Sequence, residues 1–136
     1  MKKSSLILKY FQKKDQLTVK NREYQKTIST LFKWLIDNDK VKTDKTTKYF
    51  PNNNTKAIII AKQTGVIAGL EEAGYLLEKY TKLVFNPKIK DGSRIHNKET
   101  IAQISGKSRE ILEYERTILN ILQRMSGIAT QTKLLI

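Results

Sequence analysis

The stretch ERTILNILQRMSGIAT, Glu115 to Thr130, decides how this chain is read. At about 100° per residue, with Ile111 set at zero, Tyr114, Ile118, Ile121, Leu122 and Met125 fall on one arc of a helix, and Leu112 and Leu119 extend it. Glu115 lands at about 40° on the same wheel, inside that arc. Arg116 lies at its edge, while Glu113, Asn120 and Arg124 face the other way. A carboxylate on a core face is costly unless it is paired or hydrogen-bonded, so Glu115 is expected to have a partner: Arg109, Arg94 or backbone amides. Arg116 cannot serve, because neighbours at i and i+1 diverge. Its planar guanidinium suits a two-point grip on a carboxylate or phosphate. Ser126-Gly127 is expected to end the helix.

Upstream, the pattern alternates between helix and strand. From Asn21, the residues Tyr24, Ile28, Leu31, Phe32, Leu35 and Ile36 trace one face of an amphipathic helix, expected to end near Asp37-Asn38-Asp39. A polar connection, KVKTDKTTKYFPNNN, follows. TKAIIIAKQTGVIAG then reads as two β-rich runs folded into a hairpin about Gln63-Thr64-Gly65. LEEAGYLLEKY is a second helix, with Glu71 and Glu72 in the first turn where carboxylates suit the dipole. KLVFNPKIKDGSRI brings a strand, an Asn86-Pro87 break and an Asp91-Gly92 turn; KETIAQISGKS adds a strand and a glycine turn before the last helix begins near Arg109. Helix, two strands, helix, two or three strands, helix is the signature of an α+β domain with a mostly antiparallel sheet.

Composition narrows the function classes. The 136 residues suffice for one modest domain. No apolar run approaches the roughly 18 residues of a membrane span. Leu6 to Leu8 is too brief for a signal-peptide core, so a cytoplasmic location is expected and a membrane partner is not. The absence of cysteine excludes disulfides, a thiolate nucleophile and a cysteine-ligated zinc site. The net charge of +13 suggests polyanions, yet it is spread out: residues 1–50 carry 13 Lys/Arg against 5 Asp/Glu and residues 51–136 carry 13 against 8. With a diffuse lysine-rich exterior, a nucleic-acid partner is not expected. His96 reads as a surface residue with no ligand set around it. GLEEAG and SGKS lack the glycine spacing of phosphate loops.

The same residues carry a family resemblance. ERTILNILQRMSGIAT looks like the signature that closes the N-terminal domain of quinolinate phosphoribosyltransferase, or nicotinate-nucleotide pyrophosphorylase (carboxylating). AIIIAKQTGVIAGLEEA and IKDGSRIHNKETIAQISGKSREIL resemble that family's upstream elements in order and spacing. The family's acidic opening is replaced by DNDKVKTDKTTKYF, where only Asp44, Thr46 and Thr47 approximate it. The resemblance implies a hammerhead-type α+β domain that caps the barrel mouth of a second subunit in a homodimer. It implies an enzyme that joins quinolinate and phosphoribosyl pyrophosphate, with Mg²⁺, into nicotinate mononucleotide, CO₂ and pyrophosphate for NAD synthesis. By that resemblance Arg116 would reach in trans to a quinolinate carboxylate, with Glu115 and Asn120 as structural support, and no catalytic, metal or cofactor residue on this chain.

The expected organisation is a basic N-terminus (1–20), a cap and dimerisation domain (21–126) and the start of a connection to a barrel (127–136). Ile136 falls where the barrel's first elements would begin, so the chain alone is expected to be inactive, with the Mg²⁺ site on the barrel domain. The alternatives are a non-catalytic polyanion-binding or carrier-like hammerhead module, for which Lys107 lacks the usual hairpin-tip setting, and the molybdate-associated paralogue of the same fold.

Overall fold

The computed structural model describes residues 17–47 and 51–135, with side chains for 17–38 and 51–135. Residues 1–16 of the basic N-terminus, and the side chains of Asp44, Thr46 and Thr47, lie outside the described residues. The element order is α1 (Arg22–Thr47), β1 (Asn54–Ile60), β2 (Gly65–Val66), α2 (Leu70–Tyr80), β3 (Val84–Pro87), β4 (Arg94–Ile95), β5 (Thr100–Lys107) and α3 (Ser108–Leu135). This is the expected α+β sequence of elements.

The strands form a three-stranded antiparallel sheet ordered β1-β5-β3 and a two-stranded antiparallel pair, β2-β4. In the larger sheet Ile104 sits between Ala57 and Phe85, and Ala102 between Ile59 and Pro87. With side chains alternating along each strand, these residues share the face that α2 and α3 cover, and Ala102 and Ile104 are buried there. Helix α1 packs outside α2 and α3 as a third layer. Phe32 of α1 is fully buried, its ring 5.5 Å from that of Tyr80 and stacked 6.0 Å from that of Tyr114. A buried carboxylate closes the same junction: the Tyr24 hydroxyl donates to Glu72 at 2.8 Å. Burial, and then the bond to Glu72, push the Tyr24 phenol well above its ordinary pKa.

Four expectations about the elements are corrected. Helix α1 runs through Asp37-Asn38-Asp39 to Thr47. Asn38 donates its side-chain amide back to the Trp34 carbonyl at 3.0 Å, within the helix, and no proline or glycine interrupts the chain before Pro51. Leu31, expected on the inner face of α1, is 50% exposed.

The 56–69 run is not a hairpin. β1 pairs with β5, and β2 with β4. Lys62-Gln63-Thr64 offers none of the Asn-Gly or Asp-Gly chemistry of a tight two-residue turn, while Ala61 stays bound to the turn that leads into β5, donating to Glu99 O at 2.9 Å and accepting from Lys98 N at 2.7 Å. Gly106 is not a turn but the penultimate residue of β5, paired with Thr55. Its φ of 152° and a Cβ position only 2.6 Å from Leu83 Cδ2 leave no room for a side chain.

The fourth correction concerns α3, which passes through Ser126-Gly127 and continues to Leu135. Ser126 Oγ accepts from Ala68 N at 3.0 Å and donates to Ala68 O at 3.2 Å, and one turn on Thr130 Oγ1 accepts from Val66 N at 3.0 Å. The two hydroxyls therefore hold the extended helix against β2, and Gly65 is required there because a Cβ would meet Thr130 Oγ1 at 2.8 Å.

The start of α2 is capped from a distance. Gly69 precedes it in the left-handed region at φ 97°, with no side chain to offer, and Asp91 of the β3–β4 turn accepts from Leu70 N at 2.9 Å and Glu71 N at 3.1 Å. Asp91→Ala is expected to cost about 1–2 kcal/mol, the scale of a lost N-cap, read as a lowered urea midpoint at unchanged slope.

Candidate functional site

The last helix carries the candidate residues, and its orientation follows from which of its side chains are buried. Ile111, Thr117, Ile118, Ile121 and Leu122 are buried, and Thr117 and Ile118 are wholly inaccessible. On the wheel this centres the packed arc near Tyr114 and Met125, about 50° from Ile111 on the side away from Glu115. Two consequences follow. Glu115 is exposed, so the expected carboxylate within the core arc is not found and no buried partner is required of it. Leu112 is half-buried and Leu119 36% exposed, so the two leucines that drew the expected arc toward Glu115 lie outside the buried set. Thr117 was the missing indicator: a threonine inside an apolar stripe reads as polar in sequence yet packs as a small β-branched residue.

Arg116 is exposed. It lies about 170° from the centre of the packed arc, so the turn that buries Thr117 aims the guanidinium away from the domain. Asn120 follows at i+4, about 40° from Arg116 around the helix, and is half-buried. The helix thus brings Arg116 and Asn120 to one side, with Glu115 on a different flank. Tyr114, on the packed side, has its phenol pushed up by burial and then by Glu113 and Glu110. His96 is exposed in the turn before β5, where its backbone amide donates to Glu99 Oε2 at 2.9 Å.

Asp91, Ser126 and Thr130, which hold this side of the domain together, were not singled out as site residues from sequence. The signals were present: an Asp-Gly turn one element away from a helix lacking its own cap, and two hydroxyls at i and i+4 on one helix face. Among the described residues no three His, Cys, Asp or Glu side chains converge as a metal site, and no helix is long and apolar enough to cross a membrane.

Fold and site together define an open-faced α+β domain, helices on one side of an antiparallel sheet, with an outward-facing arginine on its last helix. The profile of the quinolinate phosphoribosyl transferase N-terminal domain matches residues 43–126, and the chain belongs to that family. A probable nicotinate-nucleotide pyrophosphorylase (carboxylating) of Bacillus subtilis is 37% identical over 87 residues, covering 62% of this chain and 29% of that protein. Its counterpart in Archaeoglobus fulgidus is 40% identical over 82 residues, covering 60% of this chain and 31% of that protein. Among solved structures, NadC from Streptococcus pyogenes superposes with a TM-score of 0.70 at 32% identity, covering 78% of this chain and 40% of that one. The chain therefore spans about a third of the length of its relatives.

Proposed function

We propose that this chain serves as the N-terminal cap of a quinolinate phosphoribosyltransferase, and that Arg116 is its contribution to the active site. The observation that carries the reading is the outward aim of Arg116 from a helix whose opposite face is locked into the core. A cation so placed is available to a neighbouring body, and the relatives are carboxylating pyrophosphorylases of nicotinate nucleotide.

In this reading the complete enzyme transfers phosphoribosyl to quinolinate with loss of CO₂ and pyrophosphate. Quinolinate is a dianion, and loss of its 2-carboxylate leaves negative charge on the ring carbon. A guanidinium fixed on a rigid helix grips the retained anionic group without reorganising during the reaction. Arg116 does so in trans, from the cap of one subunit to the barrel of another, with Asn120 beside it and Glu115 on the adjoining flank as support. Magnesium accompanies phosphoribosyl pyrophosphate on the barrel domain. The setting is cytoplasmic.

The test is a chimera in which residues 43–126 replace the matching segment of the Bacillus subtilis relative, assayed for nicotinate mononucleotide from quinolinate and phosphoribosyl pyrophosphate. Product formation dependent on both substrates is expected. A folded, dimeric chimera without activity would overturn the proposal.

A further inference from the structure

The helices cover one face of the β1-β5-β3 sheet; the other carries an unusual combination of side chains. Following the register outward, Lys56, Ser105 and Val84 lie side by side across the three strands, and Ile58, Gln103 and Asn86 form the next row. Ile58 and Ile60 on β1 and Val84 on β3, at the two edges of the sheet with β5 between them, are 59%, 52% and 63% exposed, large for β-branched side chains. Around them stand the ammonium groups of Lys56, Lys82 and Lys107, all exposed. Lys56 and Lys82 also flank a shallow concavity of about 320 Å³ floored by Val84, Ser105 and Gly106. None of the three strands contains an aspartate or glutamate. The carboxylates of Glu71, Glu78, Glu113 and Glu115 sit instead on α2 and α3, the helices packed against the opposite face, while Glu110 at the start of α3 reaches the rim, its Oε1 accepting from Lys82 N at 2.8 Å.

We propose that this open face is a docking surface for an acidic amphipathic segment of a protein partner, apolar residues against Ile58, Ile60 and Val84 and carboxylates against the lysine rim. Charge complementarity selects that occupant. A second copy of the same face would set lysines against lysines. A nucleic acid strand would find phosphate partners but no stacking platform, because the strands' one aromatic, Phe85, lies in the row with buried Ile104 on the helix-covered side. The exposed apolar side chains of β1 and β3 give a contact that charge alone does not, so affinity is divided between two measurable parts.

The experiment titrates the whole chain, isotopically labelled, with a synthetic peptide of about 18 residues, five helical turns, carrying leucines along one face and glutamates elsewhere. Saturable binding with amide shifts concentrated in β1, β3 and β5 is expected. Combined Lys56→Glu, Lys82→Glu and Lys107→Glu should weaken it by about tenfold or more, and Ile58→Ser should weaken it with the charge intact. The same three charge reversals at exposed Lys62, Lys90 and Lys133 should change affinity by less than about threefold, the scale of rim charges. Equal weakening by both triple variants would overturn the proposal in favour of diffuse attraction to a +13 chain. So would shifts outside the sheet, tighter binding of a single-stranded oligonucleotide on the same strands, or a concentration-dependent dimer that Ile58→Ser abolishes.

Discussion

Arg116→Ala in the chimeric enzyme is expected to lower kcat/KM for quinolinate by about 100-fold, equivalent to about 2.7 kcal/mol of lost transition-state binding. That is the range for a charge-assisted, two-point contact with a carboxylate. Arg116→Lys keeps the charge but loses the planar fork, so only part of the loss, leaving about a tenfold deficit, should be recovered. Because Arg116 is exposed, neither change should move the thermal midpoint, which separates a binding role from a structural one. Glu78→Gln gives the contrast: an exposed carboxylate on α2, outside the proposed site, should alter kcat/KM by no more than about twofold, the effect of a screened surface charge. If Arg116→Ala left kcat/KM within twofold of the parent while the chimera stayed dimeric, the in-trans assignment would fail.

The reading of Arg116 shows how far periodicity reaches. The wheel correctly made the last helix amphipathic, since Ile111, Ile118, Ile121 and Leu122 are buried as drawn. It misplaced the centre of the buried arc because Leu112 and Leu119 were counted with the arc and Thr117 was not placed on it. Leu112 and Leu119 pulled the arc toward Glu115, whereas the fully buried Thr117 shows it on the opposite flank. The element order was legible because strand and helix periods differ sharply. The pairing of β1 with β5 was not, because about 40 residues separate them and local turn signals say nothing about non-local partners. The end of α3 was misread for a related reason: Ser126-Gly127 is a stop signal in isolation, but Ser126 and Thr130 bond to Ala68 and Val66, more than 50 positions upstream. The family resemblance pointed to Arg116; the packing of its neighbours shows that the residue is exposed, which the proposed contact with a second body requires.

The largest loss of stability is expected from Phe32→Ala. Helix α1 lies mostly ahead of the segment matched by the family profile, residues 43–126, and is held as a third layer chiefly by its apolar face. Phe32 is its wholly inaccessible residue, wedged between Tyr80 at the end of α2 and Tyr114 on α3. Truncation to alanine removes the ring from both neighbours and leaves a cavity between three helices that cannot close without moving α1. Such changes cost about 3–5 kcal/mol, a large share of the 5–15 kcal/mol typical of whole domains. The expected result is a lower urea midpoint together with a smaller unfolding slope if α1 detaches before the rest, because less surface is then exposed in the main transition. Phe32→Leu, which refills most of the volume, should recover more than half of the loss. If Phe32→Ala lowered stability by less than about 1 kcal/mol, α1 would not be an integral layer of the domain, and the Tyr24–Glu72 bond would be a peripheral contact rather than part of the junction that Phe32 fills.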